Sequence, residues 1–343
     1  YEFDGRHISD LDENAVKQAA LDIKQKGLKA VAISCVFSPL NSVMEERALQ
    51  IVLDVLPDVE VTLSSRIGRI GLLERENAAT MNASLADLSH KVVNSFRTAL
   101  SELKIKAPFF ISQNDGTLMS ADFVEKHPVL TFASGPTNSM RGAAYLSGLK
   151  NALVVDIGGT TTDVGMLING FPRESSVSVD IGGVRTNFRM PDILALGLGG
   201  GSLVKSNGAI TVGPQSVGYQ LTEKAKVFGG DVLTASDIAV AAAYADFGDA
   251  SKVADLDKDL VIAAVDAIHQ IVNVGVDRMK TSSEPMPVIL VGGGSVLIRD
   301  DIPGTSEVIV PDHAAVANAI GASIAQVGGE VDKVYSYDKE GRE

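Results

Sequence analysis

Disulfides are the first thing this sequence lacks. Its 343 residues include one cysteine, Cys35, so no bridge can close within the chain, which suits a reducing compartment. Cys35 lies in the apolar run 31–37 and reads as a buried structural thiol rather than a nucleophile. Blocks of lysine and arginine are also missing. With 43 acidic residues against 30 basic ones and a net charge of −13, the chain argues against nucleic acid or an anionic membrane as partner. No uninterrupted apolar run reaches the roughly 18 residues of a membrane span, and no basic leader with an apolar core opens the chain. The expectation is a cytoplasmic, acidic enzyme. It opens on Tyr1 rather than Met, which reads as a processed or excised chain. Among His7, His90, His127, His269 and His313 no pair has the close spacing of a zinc motif, and the glycine loops contain no G-x-S-x-G elbow. Repeats and low-complexity segments are absent as well.

What is present is a globular composition, 45% hydrophobic, with 33 glycines whose excess gathers in a few loops. The length suggests two lobes. Residues 12–26 have helical spacing, with Asp10 as N-cap and Gly27 as stop. Residues 29–37 read as a buried strand, 42–56 as a helix ended by Pro57, and 60–63 as a second strand. A long helix follows over 70–103, in which the charges of 74–77 form a solvated face. Strands are expected at 108–112, 129–132, 177–180, 287–291 and 307–310. Helices are expected at 234–245, 260–279 and 314–327, and Asn207-Gly208 signals a hairpin turn.

One stretch organises the rest: residues 152–168, ALVVDIGGTTTDVGMLI. The β-branched run reads as a strand buried on both faces, stopping at Asp156 before a glycine pair. Gly158 and Gly159 lack a Cβ, so the turn can bring N–H groups against a phosphate, and Thr160, Thr161 and Thr162 add hydroxyl donors. A returning strand, not a helix, follows, which excludes both a Walker loop and a Rossmann turn. Residues 196–203 form a second glycine loop (Gly199, Gly200, Gly201, Ser202), either a close backbone approach to a ligand or a flexible connector. A third, Gly292, Gly293 and Gly294, ends a buried strand. Residues 133–139 read either as a plain helix start or as a further anion cradle. Phosphoryl transfer needs aligned reactants, backbone donors and a divalent cation. Asp156 is the first candidate for a Mg²⁺ ligand and catalytic acid. Asp163 is the second, with a simple strand-end acid as its alternative.

A β-hairpin with an acid at one strand end and a Gly/Thr tip resembles the phosphate hairpin of the actin-like ATPase superfamily. An ordered series narrows this further: Ser64-Ser65, the 74–83 segment ERENAATMNA, Gln113 to Gly116, Ser134-Gly135-Pro136, Asp156 to Val164, Leu198 to Ser202 and Phe228 to Ala235. Together these resemble the A-type subunit of the hydantoinase/oxoprolinase family, which includes acetone carboxylase-like subunits. The resemblance implies an α/β, actin-like ATPase (ribonuclease H-like) fold, incomplete at the N-terminus. Residues 1–105 would be the remainder of an N-terminal lobe with connecting helices, 106–330 the nucleotide-binding lobe and 331–343 a polar tail. It also implies ATP and Mg²⁺ as cofactors, a small cyclic amide such as a hydantoin or 5-oxoproline as substrate, and a B-type partner subunit, with a homo-oligomer left open. A small-molecule kinase and a nucleotide-switched binding protein are the alternatives. Two departures from the family pattern stand out. No earlier Asp-x-Gly-Gly-Thr hairpin precedes Ala152, so the chain is not expected to turn over ATP unaided. Leu194 also stands where larger members carry a histidine.

Overall fold

A computed structural model of the chain describes residues 1–175, 178–206, 208–299 and 301–329. The expected tail at 331–343, the first residue of the 177–180 strand and Asn207 of the hairpin signal lie outside these residues. In chain order the elements are α1 (Glu13–Gln25), β1 (Ala30–Ile33), α2 (Val43–Val55), β2 (Glu60–Leu63), α3 (Leu72–Glu102), β3 (Phe110–Ser112), β4 (Leu118–Ser120) and α4 (Ala121–Lys126). Then come α5 (Ser134–Ser147), β5 (Ala152–Ile157), β6 (Thr162–Ile168), β7 (Phe171–Pro172), β8 (Val179–Ile181), β9 (Val184–Thr186), β10 (Ile193–Leu196), β11 (Ser202–Ser206) and β12 (Ile210–Ser216). The rest comprises α6 (Leu221–Lys224), α7 (Ala235–Ala241), α8 (Lys258–Met279), β13 (Met286–Val291), β14 (Thr305–Ile309) and α9 (Ala317–Ile324). Two compact units result. Of the described residues, one holds those in 1–132, 175–190 and 326–329, and the other holds those in 133–174 and 191–325.

In the first unit β1 and β2 pair in parallel, and Ala20, Val52 and Val59 form the small core between this ribbon and its helices. The N-cap of α1 is Asp12, whose side chain accepts from the Ala15 N–H, so the helix starts two residues later than Asp10 would set it. The expected strand at 29–37 ends at Ile33. Beyond it Phe37 takes a left-handed conformation (φ 53°), and the Cys35 N–H and C=O turn to side chains instead of a ladder. Those side chains are charged and buried. Glu45 accepts from Cys35 N (3.0 Å), Ser64 Oγ (2.5 Å) and Ser65 N (3.0 Å). Arg75, fully buried, donates to Ser64 Oγ (2.9 Å) and to the carbonyls of Cys35 (2.5 Å), Arg69 (3.0 Å) and Ile70 (2.7 Å). The expected solvated face at 74–77 is therefore corrected at its centre. Arg75 shares one face of α3 with Ala78, Ala79, Asn82, Ala83 and Ala86, all buried, and satisfies its donors on loop carbonyls. The strand expected at 129–132 is replaced by a 3₁₀ turn, Pro128–Thr131, with Pro128 fixing the entry angle and a left-handed Ala133 (φ 56°) following the extended Phe132.

The second unit is a layered α/β domain. Its sheet runs β10-β6-β5-β13-β14, with β7 paired to β6. β6 runs antiparallel to both its neighbours, β10 and β5, and β5, β13 and β14 are parallel. That order, third-second-first-fourth-fifth, is the ribonuclease H-like sheet of the actin-like ATPase fold. β5 alternates cleanly: Leu153, Val155 and Ile157 enter the core shared with α7 and α8, while Ala152 and Val154 enter the one beneath α5 and α9. Each such fully buried Val, Leu or Ile contributes about 1.5–3 kcal/mol. The helix expected at 234–245 closes earlier, at Ala241, before a left-handed Ala243, and opens on a capping box between Thr234 and Asp237. The helix expected at 314–327 is a 3₁₀ turn followed by α9, which ends at Ile324. Among the described residues α8 is the one helix long and apolar enough to cross a membrane by length and composition. Its Val261, Ala264, Ile268, Val272 and Val276 pack into the core against the sheet, and Asp266 and Asp277 interrupt its apolar run.

Candidate functional site

The three glycine segments meet at one end of the second unit's sheet. β5 and β6 pair in register from Ala152↔Leu167 to Ile157↔Thr162, and the Gly158 N–H donates to Thr161 C=O (2.9 Å) to close the tip. The second loop is hydrogen-bonded onto that tip. Gly200 N donates to Gly158 O (3.0 Å), Gly201 N to Gly159 O (2.7 Å) and Thr162 Oγ1 to Leu198 O (2.7 Å). The third loop joins from the other side, with Gly294 N donating to Ile157 O (2.8 Å).

Glycine is required at these contacts. A Cβ on Gly199 would lie 2.5 Å from Thr160 N and 2.7 Å from the Gly159 carbonyl carbon, and one on Gly294 would lie 2.9 Å from Ile157 O. Gly292 takes φ +85° with the Asp156 carboxylate and Ile157 C=O directly against it. By contrast Gly159 and Gly293 have open space where a Cβ would be. Gly159, Thr160 and Thr161 are exposed at the tip, whereas Gly199, Gly200, Gly201 and Ser202 are buried. Ser202 caps its own loop, its Oγ accepting from Gly199 N (2.9 Å). The second loop thus buttresses the hairpin, and the hairpin presents the free donors.

Asp156 and Asp163 sit directly opposite one another across β5 and β6, which puts both side chains on the sheet face covered by α5. Both are half-buried. Burial raises the Asp156 pKa above its ordinary value, partly offset by a hydrogen bond from Ser139 on α5. Burial, followed by repulsion from Asp156, pushes Asp163 up to about 6. Ser139 was not singled out from the sequence, although the 133–139 segment around it was. Asn318 Nδ2 holds it in place by donating to Ser139 Oγ (3.3 Å) and Gly135 O (2.8 Å). The pair offers hard carboxylate oxygens in a desolvated setting that penalises their double ionisation. This donor set fits a Mg²⁺ ion that keeps several waters and takes its remaining oxygens from phosphate. The α5 start has no side-chain cap, and Leu194, the departure from the family pattern, lies on β10 opposite Val164.

A sheet of this order, with the hairpin at its centre, gives the second unit the fold of the actin-like ATPases. The sequence profile described as hydantoinase/oxoprolinase matches residues 75–284, and that of the hydantoinase/oxoprolinase N-terminal region matches residues 1–56. The chain belongs to the hydantoinase/oxoprolinase family. It is 29% identical over 247 residues to the caprolactamase subunit alpha of Pseudomonas jessenii, covering 70% of this chain and 35% of that one. To the acetophenone carboxylase gamma subunit of Aromatoleum aromaticum it is 28% identical over 255 residues, covering 70% and 34%. It therefore spans about a third of the length of these relatives. Among solved structures, the ATP-dependent caprolactamase from Pseudomonas jessenii superposes with a TM-score of 0.79 at 23% identity, covering 95% of this chain and 52% of that one. Nucleotide-free acetone carboxylase gives 0.71 at 24% identity, covering 94% and 51%. These likenesses establish a shared fold.

Proposed function

We propose that this chain is the nucleotide-handling part of an ATP-dependent enzyme that hydrolyses a cyclic amide, such as a hydantoin or 5-oxoproline, in concert with a B-type partner subunit in the cytoplasm. The observation that carries this reading is the convergence of three glycine segments on one hairpin tip, beside a carboxylate pair held in a desolvated position. The caprolactamase subunit alpha, 29% identical, is the lactam-acting relative that this reading follows, and the acetophenone carboxylase gamma subunit, 28% identical, belongs to the ketone-carboxylating relatives.

In this reading the backbone donors of 159–161 and the hydroxyls of Thr160 and Thr161 bind phosphate oxygens, while Gly199 to Ser202 and Gly292 to Gly294 keep the tip rigid. Asp156, oriented by Ser139, would hold the Mg²⁺ ion. A nucleotide bound there would supply a phosphoryl group to the amide oxygen, its diphosphate leaving, and water adding to the activated carbon would open the ring with release of phosphate. Asp163, whose pKa lies near neutrality, accepts or returns a proton beside that site. Phosphate release by the full-length protein with its partner, measured against a panel of lactams and hydantoins, tests the proposal. Lactam-dependent release is expected. Release indifferent to every lactam would point instead to a nucleotide-switched binding protein, and a stable phosphorylated product to a kinase.

A further inference from the structure

The hydrogen bond from Ser139 to Asp156 is not the one a helical serine makes by default. Ser139 lies within α5, where a serine readily turns its hydroxyl back to the carbonyl four residues earlier, here that of Gly135. That carbonyl is already filled. The α-helical pattern gives one of its lone pairs to the Ser139 N–H, and Asn318 Nδ2 takes the other at 2.8 Å. The same Nδ2 directs its second hydrogen to Ser139 Oγ (3.3 Å). Because a carbonyl oxygen only accepts, the contact with Gly135 also fixes which way round the Asn318 amide lies. The Ser139 hydroxyl therefore accepts from Asn318 and has a single proton left to give. Ser139 is 1% exposed, so bulk water does not compete for that proton, and Asp156 receives it.

The backbones beneath Asn318 keep it in reach. Gly142 of α5 lies against Ala317 of α9, and Gly321 of α9 lies against Asn138 of α5, so that a Cβ on either glycine would overlap the facing carbonyl. Two such contacts, about one turn apart on each helix, set the register of α9 on α5 and bring Asn318 beside Gly135 and Ser139. Asn318 itself is exposed, and the apolar core under this helix pair is made by Ala314 and Ala317 instead. Its amide can therefore be removed without disturbing the packing.

We propose that Asn318 is a positioning residue for the metal site: by occupying the alternative acceptor of Ser139 it commits the serine proton to one oxygen of Asp156 and leaves the other oxygen for the cation. The inference rests on the reading of Asp156 as the Mg²⁺ ligand and adds the part that α9 plays in it. All four residues, Gly135, Ser139, Asp156 and Asn318, belong to the second unit.

Calorimetric titration of the whole chain with a non-hydrolysable ATP analogue, once with Mg²⁺ and once with EDTA, tests it. Asn318→Ala should weaken binding in Mg²⁺ by about tenfold, as expected for a residue that orients a metal ligand, and leave binding in EDTA and the melting temperature unchanged. Ser139→Ala should give the same loss, and Asn318→Ala should add nothing on that background, since Asn318 acts only through the serine hydroxyl. Undiminished Mg²⁺-dependent binding by Asn318→Ala, an equal loss in EDTA, or losses that add in the double variant would each overturn the inference while the nucleotide reading stands. Wild-type binding indifferent to Mg²⁺, or Mg²⁺-dependent binding that survives Asp156→Asn, would overturn that reading and this inference with it.

Discussion

Replacing Asp163 by asparagine should stabilise the second unit, and only above a definite pH. The side chain's ordinary pKa is 3.8 and its value in the fold is about 6. At about 1.36 kcal/mol per pH unit, the difference corresponds to about 3 kcal/mol. The folded state holds the proton more tightly than the unfolded chain, so between those two values it binds more protons and stability falls as pH rises. The penalty is absent below the lower value and complete above the higher one. Asp163→Asn removes the titration while keeping the side chain's size. The variant should therefore exceed the wild type by up to about 3 kcal/mol at pH 8, an upper bound because Asp163 is only partly buried, and by little at pH 4. Urea unfolding, followed by hydrogen exchange at β5 and β6 amides, measures the difference. A stability gap that is the same at both pH values, or a variant less stable than wild type at pH 8, would refute the reasoning. Millimolar Mg²⁺ should narrow the gap at pH 8 by relieving the repulsion between the two carboxylates.

Gly199→Ala should destabilise the second unit by about 1–3 kcal/mol in thermal unfolding, because its Cβ meets the backbone of Gly159 and Thr160. Gly159→Ala, facing open space, should leave the melting temperature unchanged while lowering nucleotide affinity in calorimetry. Asp156→Asn should abolish the Mg²⁺ dependence of nucleotide binding, and unchanged affinity with Mg²⁺ present would assign the ion to another acid. Arg75→Met should cost the first unit about 3–5 kcal/mol in denaturant unfolding, since Glu45 and four loop carbonyls lose their buried counterpart.

The hairpin was legible nearly to the residue, because an unbroken β-branched run has few alternatives to a doubly buried strand and a glycine pair marks its end. The family was legible from the order of its motifs. The failures lie where long-range contacts decide. Residues 34–37 look like strand by composition, yet Glu45 and Arg75 take over the Cys35 backbone groups and pull the chain out of the ladder. Residues 129–132 are apolar enough for a strand, but Pro128 opens a 3₁₀ turn that runs to Thr131, and a left-handed Ala133 follows the extended Phe132. By its charge and its acidic neighbours Arg75 reads as solvent-facing, whereas its spacing puts it on the small-residue face. The small residues at 78, 79, 82, 83 and 86 trace the buried face of α3, and that signal was available. The facing of Asp156 and Asp163 follows from the strand register, because they are equidistant from the midpoint of the tip between Gly159 and Thr160, and that midpoint is set by the turn length.

The most direct test of the central claim is amide hydrogen exchange with and without Mg²⁺ and a non-hydrolysable ATP analogue. The account predicts slowed exchange at residues 158–161, with smaller protection at 199–202 and 292–295. Protection confined to other segments, with the hairpin tip unchanged at saturating ligand, would contradict it.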